Sequence, residues 1–299
     1  MCDVSLGRFA CAALTFALCA TGCASNSNAS SSTFDNGKID VVTTISTLNS
    51  FVQGVGGDKV RVTSIVPVGA SPETYEPTPQ DVATITKSKM LVENGAGLET
   101  WLDRLLRNAA SPKLQTVIAS EGLPVINDNP HLWMDPQYAK HYVLQIRDGL
   151  IAVDPADANT FRINAMHYND ALDALTAHIR SQIATIPPSQ RYMIVFHNAW
   201  QYYNDRFGIT TLGFVERNPG QEPNPQQVAQ LVDMAKQHNV RGVFSEPEYS
   251  PKILYSIAQG SNIKVVENLY DDSIGTNPQV SNYLSMLVYD TNIIVNALK

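Results

Sequence analysis

The sequence predicts an α/β fold with two lobes, each a mostly parallel sheet flanked by helices, joined by one long backbone helix. Two observations predict this fold. First, β-branched apolar runs alternate with helical patterns in both halves of the chain, which is typical of parallel sheets covered on both faces. The runs include IDVVTTIS and VRVTSIVPV in the first half, and YMIVFHN and VRGVFSE in the second. Second, one amphipathic segment separates the two sets of runs, so each set predicts its own lobe.

The separating segment predicts a single long helix. Its apolar residues recur at steps of three and four, and nothing breaks the pattern until Pro187 and Pro188. These apolar residues are Phe161, Ala165, Tyr168, Leu172, Leu175, Ile179 and Ile183. A helix of roughly 30 residues would be about 45 Å long, which is enough to join two lobes. We therefore expect an N-terminal lobe over residues 38–153, a linking helix over 154–187 and a C-terminal lobe over 188–299.

The first residues of the chain indicate secretion. An apolar segment over residues 9–20 follows Arg8, and it is shorter than a membrane span but typical of a signal peptide. The run ATGC ending at Cys23 resembles a bacterial lipobox, in which small residues precede a cysteine that is lipidated. We therefore expect a signal peptide over residues 1–22, and a lipidated Cys23 at the start of a flexible Ser- and Asn-rich tether over 23–37. An ordinary cleaved signal and a buried apolar N-terminus are the alternatives.

Charge and cysteine content narrow the possible ligands. The chain carries 28 acidic residues against 21 Lys and Arg, a formal net charge of −7, whereas nucleic-acid binding requires clustered Lys and Arg. All four cysteines lie between positions 2 and 23, so we expect neither disulfides nor thiolate metal ligands in the folded part. Small ligands or cations fit this composition better than nucleic acids do.

Side chains that could bind a metal occur where predicted strands end. Glu73 follows VRVTSIVPV, His131 lies in NDNPHLWMDP, His197 closes YMIVFH, and Asp271 and Asp272 follow IKVVENLY. Ligands of open α/β sheets collect at the carboxyl ends of strands, and two imidazoles with two carboxylates form a suitable set for a divalent first-row metal. Each residue alone is weak evidence, because loop carboxylates are usually solvated and a histidine at a strand end is usually hydrogen-bonded.

Five segments, taken in order, resemble the successive motifs of the cluster A-I metal-binding receptors, the zinc and manganese solute-binding lipoproteins of bacterial ABC importers. These segments are VPVGASPETYEPTPQDV, NPHLWMDP, FHNAWQYY, VFSEPEYSPK and LYDDSIG. The resemblance implies an extracytoplasmic, lipid-anchored, monomeric receptor that holds one divalent metal in the cleft between its lobes. It also implies delivery of this metal to a permease with its ATP-binding subunit. By position, the implied ligands are Glu73, His131, His197 and Asp272.

Two departures from the family pattern bear on the metal. Most relatives have His where this chain has Glu73, so a carboxylate replaces an imidazole. Zinc-specific relatives often carry a loop rich in His and Asp, but the corresponding segment over residues 110–129 contains no His. Manganese-type relatives also use two His and two carboxylates, although they place Glu at the position of His197. Because carboxylates suit harder ions better than imidazoles do, we expect manganese or ferrous iron in preference to zinc.

Three alternatives stay open on the sequence alone. A zinc-specific receptor of the same family would use the same four positions, and a surface adhesin would be anchored in the same way. A metallohydrolase would also show His and carboxylate ligands, but it needs an open coordination position and a general base. Glu246, Glu248 and Asp271 are the only candidates for such a base, and the resemblance implies packing or supporting roles for them. We therefore expect no catalytic residue and no enzyme.

Exchanging Glu73 for His should shift the metal preference towards zinc. Glu73→His leaves one carboxylate and three imidazoles, so we expect the zinc affinity to rise relative to manganese by about tenfold, roughly 1.4 kcal/mol. Competition titration with the two metals measures the ratio. Glu76→Ala is the control, because Glu76 is expected to be a solvated turn residue; a larger effect at Glu76 than at Glu73 would show that the wrong carboxylate was chosen.

Overall fold

The first half of the chain forms a parallel sheet whose strands alternate with helices. The computed structural model describes residues 37–109, 111–216, 220–261 and 263–299. In this half the elements are β1 (Ile39–Thr43), α1 (Ser46–Gly56), β2 (Val60–Ser64), α2 (Pro79–Lys87), β3 (Met90–Glu93), α3 (Leu102–Ala109), β4 (Gln115–Ile118) and α4 (Pro136–Val153). The strand order is β2-β1-β3-β4, and every pairing is parallel.

The second half repeats this arrangement after one long helix. Its elements are α5 (Ala158–Ile183), β5 (Tyr192–Val195), α6 (Gln201–Phe207), β6 (Thr210–Phe214), α7 (Pro225–Gln237), β7 (Gly242–Phe244), α8 (Lys252–Ser261), β8 (Lys264–Val266) and α9 (Tyr283–Leu298). The strand order is β6-β5-β7-β8, again with parallel pairing only. Two parallel sheets with flanking helices and a long helix confirm the predicted fold class.

The topology places the candidate ligands at the carboxyl ends of strands. In each sheet the first strand along the chain lies between the second and the third, so the order reverses there and the loops leaving these strands diverge. Such a reversal opens a crevice at the carboxyl edge, where ligands collect in α/β proteins. Glu73 follows β2, His131 follows β4, His197 follows β5 and Asp272 follows β8. Each sheet therefore contributes two of the four side chains.

The long helix α5 packs against elements from both halves. It contacts α1 and α4 of the first half and α9 of the second. Its 26 residues make a helix about 39 Å long at 1.5 Å per residue. The buried side chains of Phe161, Leu172 and Ile179 belong to one hydrophobic core that also includes Val41 of β1 and Val195 of β5. Strands of both sheets pack into this core. The loops that carry the candidate ligands therefore extend from one common hydrophobic core.

Some of the sequence predictions concern residues that the structure does not describe. The signal peptide over residues 1–22, Cys23 and the tether up to residue 36 lie outside the described residues. In the part that is described, no helix has both the length and the apolar character needed to cross a bilayer. Helix α5 lies within the predicted linking segment 154–187, and Pro155–Asp157 form a short 3-10 turn before it. The lobe boundaries themselves stay predictions.

Removing a buried ring from α5 should destabilise the protein. Phe161 is fully buried, whereas Ile163, two residues further along the same helix, is 42% exposed. We expect Phe161→Ala to lower the free energy of unfolding by about 3 kcal/mol, because the substitution removes apolar contacts and leaves a cavity. Ile163→Ala should change it by less than about 1 kcal/mol. Urea denaturation followed by circular dichroism checks both values, and equal losses in the two variants would contradict the packing described for α5.

Candidate metal centre

Three of the four expected ligands meet in the interior of the protein. One nitrogen from each of His131 and His197 and a carboxylate oxygen of Asp272 all lie within 4.8 Å of one another. The three residues are 2%, 4% and 1% exposed, respectively. The Nε2 atoms of the two histidines are 3.2 Å apart. This cluster is therefore a dry, compact set of donors drawn from both sheets.

His131 is oriented by Asn129, two residues earlier in the loop before α4. The Nδ2 group of Asn129 donates to the backbone oxygen of Asn198 at 2.6 Å, so its Oδ1 atom is left to face His131. The His131 Nδ1 atom lies 2.8 Å from this oxygen and donates to it. With its proton on Nδ1, the neutral ring presents the lone pair of Nε2 to the cluster.

His197 is oriented in the same way by a carboxylate. Its Nδ1 atom lies 2.5 Å from Oε2 of Glu246, which is 1% exposed. Nδ1 therefore donates to Glu246, and Nε2 points towards His131 and Asp272. A carboxylate behind a ligating imidazole fixes its tautomer and raises its basicity, as is common at metal sites.

The carboxylate of Asp272 has no hydrogen-bond partner among the described residues. Both of its oxygens are buried, and neither meets hydrogen-bond geometry with a donor. The nearest ring nitrogens are His131 Nε2, 3.4 Å from Oδ1, and His197 Nε2, 3.8 Å from Oδ2. A buried charge of this kind requires a partner. Two imidazole lone pairs and a carboxylate that face one another would repel, so the arrangement fits a cation at their centre.

The neighbouring Asp271 stabilises the loop that carries Asp272. Its Oδ1 accepts a hydrogen bond from the backbone N–H of Asp272 at 2.7 Å, and its Oδ2 accepts from Trp200 Nε1 at 3.1 Å. Trp133 Nε1 donates to its backbone oxygen at 3.0 Å. Two buried tryptophans, one from each half of the chain, therefore hold Asp271 while Asp272 faces the imidazoles. Thr47, at the start of α1, adds a bond to the backbone oxygen of Asp272 at 3.2 Å.

Glu73 lines the cavity beside this cluster. The cavity has a volume of about 130 Å³, and Glu73 lines it together with His131 and His197. The carboxylate is not within the compact three-residue cluster. Its loop is held from both halves, since Trp101 Nε1 donates to the backbone oxygen of Pro72 at 2.9 Å and the N–H of Gly69 donates to Ser273 Oγ at 3.2 Å. The loop thus holds Glu73 in the lining of the cavity that His131 and His197 also line.

The electrostatics of the cluster favour a positive charge at its centre. Burial opposes protonation of His197, but the carboxylates of Glu246 and Asp271 outweigh it and raise the pKa of the imidazole well above its ordinary value. Burial acts to raise the pKa of Asp272, yet contact with His131 and His197 brings that pKa below its usual value. Burial also raises the pKa of Glu73. A proton on His197 therefore balances Asp272 when no metal is bound.

Two residues of the cavity were missed by sequence reasoning. Asn129 orients His131, and Glu216, which is 7% exposed, lines the cavity beside Glu73. Glu216 occurs directly after β6, so the criterion of a carboxylate at a strand end would have selected it. Asn129 carried no comparable signal, because an asparagine in a loop usually serves the loop itself. Burial raises the pKa of Glu216.

Comparison with known proteins now identifies the family. The sequence profile of the zinc-uptake complex component A, periplasmic, known as ZnuA, matches residues 41–297. The chain belongs to the ZnuA family. The matched region contains α5, all four expected ligands and both sheets except for the first two residues of β1.

The names of individual relatives refer to different metals. The manganese-binding lipoprotein MntA of Halalkalibacterium halodurans is 30% identical over 290 residues, covering 95% of this chain and 96% of that protein. The iron-binding protein YfeA of Yersinia pestis is 30% identical over 258 residues, covering 84% and 83%. The periplasmic zinc-binding protein TroA of Treponema pallidum superposes with a TM-score of 0.82 at 22% identity, covering 88% of this chain and 99% of that one. This last likeness shows the fold.

Metal affinity should fall as the pH is lowered, starting already at neutral pH. The pKa of His197 is raised well above its ordinary 6.5, so the metal-free protein holds this proton at neutral pH, and a metal must displace it from Nε2. We expect the affinity to fall about tenfold per pH unit for each proton displaced. Calorimetric titration in two buffers of different ionisation enthalpy measures the proton release. Constant affinity from about pH 7.5 to about pH 5 would mean that imidazoles do not bind the metal.

Proposed function

We propose that this protein is an extracytoplasmic receptor that captures one divalent transition metal and delivers it to an ABC permease. One observation carries the proposal: His131, His197 and Asp272 converge in the interior, where a nitrogen of each imidazole lies close to an unpartnered carboxylate. We infer that Glu73, which lines the same cavity, completes the set. Two imidazoles and two carboxylates form a donor set suited to a first-row cation. The metal is the cargo of the protein.

Manganese and ferrous iron are the metals that the donor set favours. Glu73 and Asp272 together carry two negative charges, which balance a divalent ion in a cavity shielded from water. Carboxylate oxygens suit harder ions, whereas a set with more imidazole favours zinc. The names of MntA and YfeA, which refer to manganese and iron, agree with this preference. Zinc is still expected to bind the site tightly in vitro, because nitrogen and oxygen sites generally bind zinc more tightly than manganese or ferrous iron.

The mode of attachment and the partners extend this proposal. Several relatives, among them FimA of Streptococcus parasanguinis and PsaA of Streptococcus anginosus, are named as substrate-binding lipoproteins of ABC transporters, which supports an extracytoplasmic location and a permease with an ATP-binding subunit as partners. Lipidation at Cys23 would anchor the chain to the bacterial membrane near its permease, and we propose that it acts there as a monomer. An added role in adhesion would use the same anchor.

The hydrogen bonds and positions of the candidate general bases argue against an enzymatic role. A metallohydrolase requires a carboxylate that is free to activate water beside the metal. Glu246 is bonded to His197 Nδ1, and Asp271 to Trp200 and to the backbone of Asp272. Glu248 accepts a hydrogen bond from Ser273 Oγ at 2.6 Å through Oε1, and although its Oε2 has no partner among the described residues, Glu248 does not line the metal cavity. These carboxylates support the ligands, and the ZnuA family and the named relatives are receptors rather than enzymes.

Removing one imidazole from the cluster should abolish tight metal binding without unfolding the protein. We expect one metal per wild-type chain, and we expect His131→Ala to lose high-affinity binding because the remaining donors cannot enclose the ion. Equilibrium dialysis with manganese and with zinc measures the stoichiometry, and circular dichroism checks the fold. His238→Ala is the matched control, since this exposed histidine lies at the end of α7. Wild-type stoichiometry in the variant His131→Ala/His197→Ala would rule out this site.

A further inference from the structure

A third carboxylate, that of Glu216, is built into the metal cavity. The backbone N–H of Glu216 donates to the oxygen of Phe196 at 2.8 Å, and that of Val215 donates to Val195 at 3.1 Å. The chain leaving β6 therefore runs alongside the residues that lead into His197. Adjacent strands are about 4.8 Å apart, so the backbone of Glu216 starts one strand away from a proposed ligand at the same edge of the sheet.

The side chain of Glu216 faces the cavity rather than solvent. The residue is 7% exposed, and it lines the cavity of about 130 Å³ with Glu73, His131 and His197. Its Oε1 atom accepts a hydrogen bond from the backbone N–H of Gln221 at 3.1 Å. The backbone N–H of Gly220 also donates to this carboxylate. These bonds hold the carboxylate in place, and because each of its oxygens has two lone pairs, it can still donate to a cation in the cavity.

The charges around the cavity suit a cation with many oxygen donors. Among the described residues that line it, none is Lys or Arg. Three carboxylates line the cavity together with two imidazoles: those of Glu73 and Glu216, and that of Asp128, which is exposed. Asp272 adds a carboxylate behind this lining, 3.4 Å from His131 Nε2. Zinc is usually satisfied by four donors in a tetrahedron. Manganese and other hard divalent ions accept a larger number of oxygen donors, commonly in octahedral geometry. A fifth donor therefore stabilises the manganese complex more than the zinc complex.

We propose that Glu216 supplies an additional oxygen donor to the bound cation and makes the cavity select manganese and ferrous iron over zinc. The inference rests on the proposed function, because it concerns the same cavity. It adds a specificity-determining residue to the four positions that the family resemblance implies. Glu216 and Glu73 thus act together, because both line the cavity with His131 and His197 and bring oxygen donors to it.

The test compares manganese and zinc binding in Glu216→Gln. Glutamine keeps an oxygen that can accept the Gln221 hydrogen bond, so the loop retains its anchor while the charge is removed. We expect the manganese dissociation constant to rise by about tenfold and that of zinc by less than about threefold, which shifts the ratio in favour of zinc. In Glu216→Ala, the X-ray absorption spectrum of the manganese-loaded protein should show one oxygen neighbour fewer than in the wild type.

Glu222→Gln is the matched control for charge. Glu222 is exposed in the same loop, so the control removes the same charge from nearby, and we expect both affinities to stay at their wild-type values. Equal losses of manganese and zinc affinity in Glu216→Gln, or an unchanged number of oxygen neighbours in Glu216→Ala, would show that Glu216 only holds its loop and would overturn the inference. A wild-type protein that binds neither metal would instead contradict the proposed function itself.

Discussion

The contact on which the rest of the structure depends is the meeting of the Asp272 carboxylate with the Nε2 atoms of His131 and His197. The carboxylate is buried without a hydrogen bond among the described residues, and the two nitrogens stand 3.2 Å apart. A buried charge is stable only with a partner of opposite charge. In the metal-free protein a proton on His197 can fill this role, and a divalent metal fills it more completely. Metal capture then replaces a proton on His197 by a divalent cation, in a cavity whose ligands are already in position.

The fold makes this contact possible because a hydrogen bond at Nδ1 fixes the orientation of each histidine ring. Asn129 and Glu246 hold the Nδ1 atoms of the two histidines, so both Nε2 atoms turn to the same point. Asp271, bonded to Trp133 and Trp200, holds the loop of Asp272. These supports come from both halves of the chain, and α5 joins both halves to one core. Such preorganisation spares the metal the cost of ordering its ligands, and it limits how far the donor set can adapt to a different ion.

The alternation of strand and helix could be predicted from the sequence, because apolar periodicity is a local property. His131, His197 and Asp272 could be placed at strand ends for the same reason, and the resemblance pointed to their common role. The supports could not be predicted: Glu246 reaches His197 across 49 residues of sequence, and only the packing of the second sheet brings the two together. Glu216 satisfied the same strand-end criterion, but it lies in none of the five segments that carry the family resemblance. The linking helix is shorter than expected at its start, since Pro155–Asp157 form a separate turn.

The central claim is that one metal lies between His131, His197, Asp272 and Glu73, and a crystal structure of the manganese-loaded protein tests it most directly. Data collected on either side of the manganese absorption edge locate the ion independently of the protein density. The account predicts one anomalous peak within about 2.3 Å of both Nε2 atoms and of oxygens from Asp272 and Glu73. A peak at another position, or a metal bound with the His131 and His197 rings turned away from it, would contradict the account.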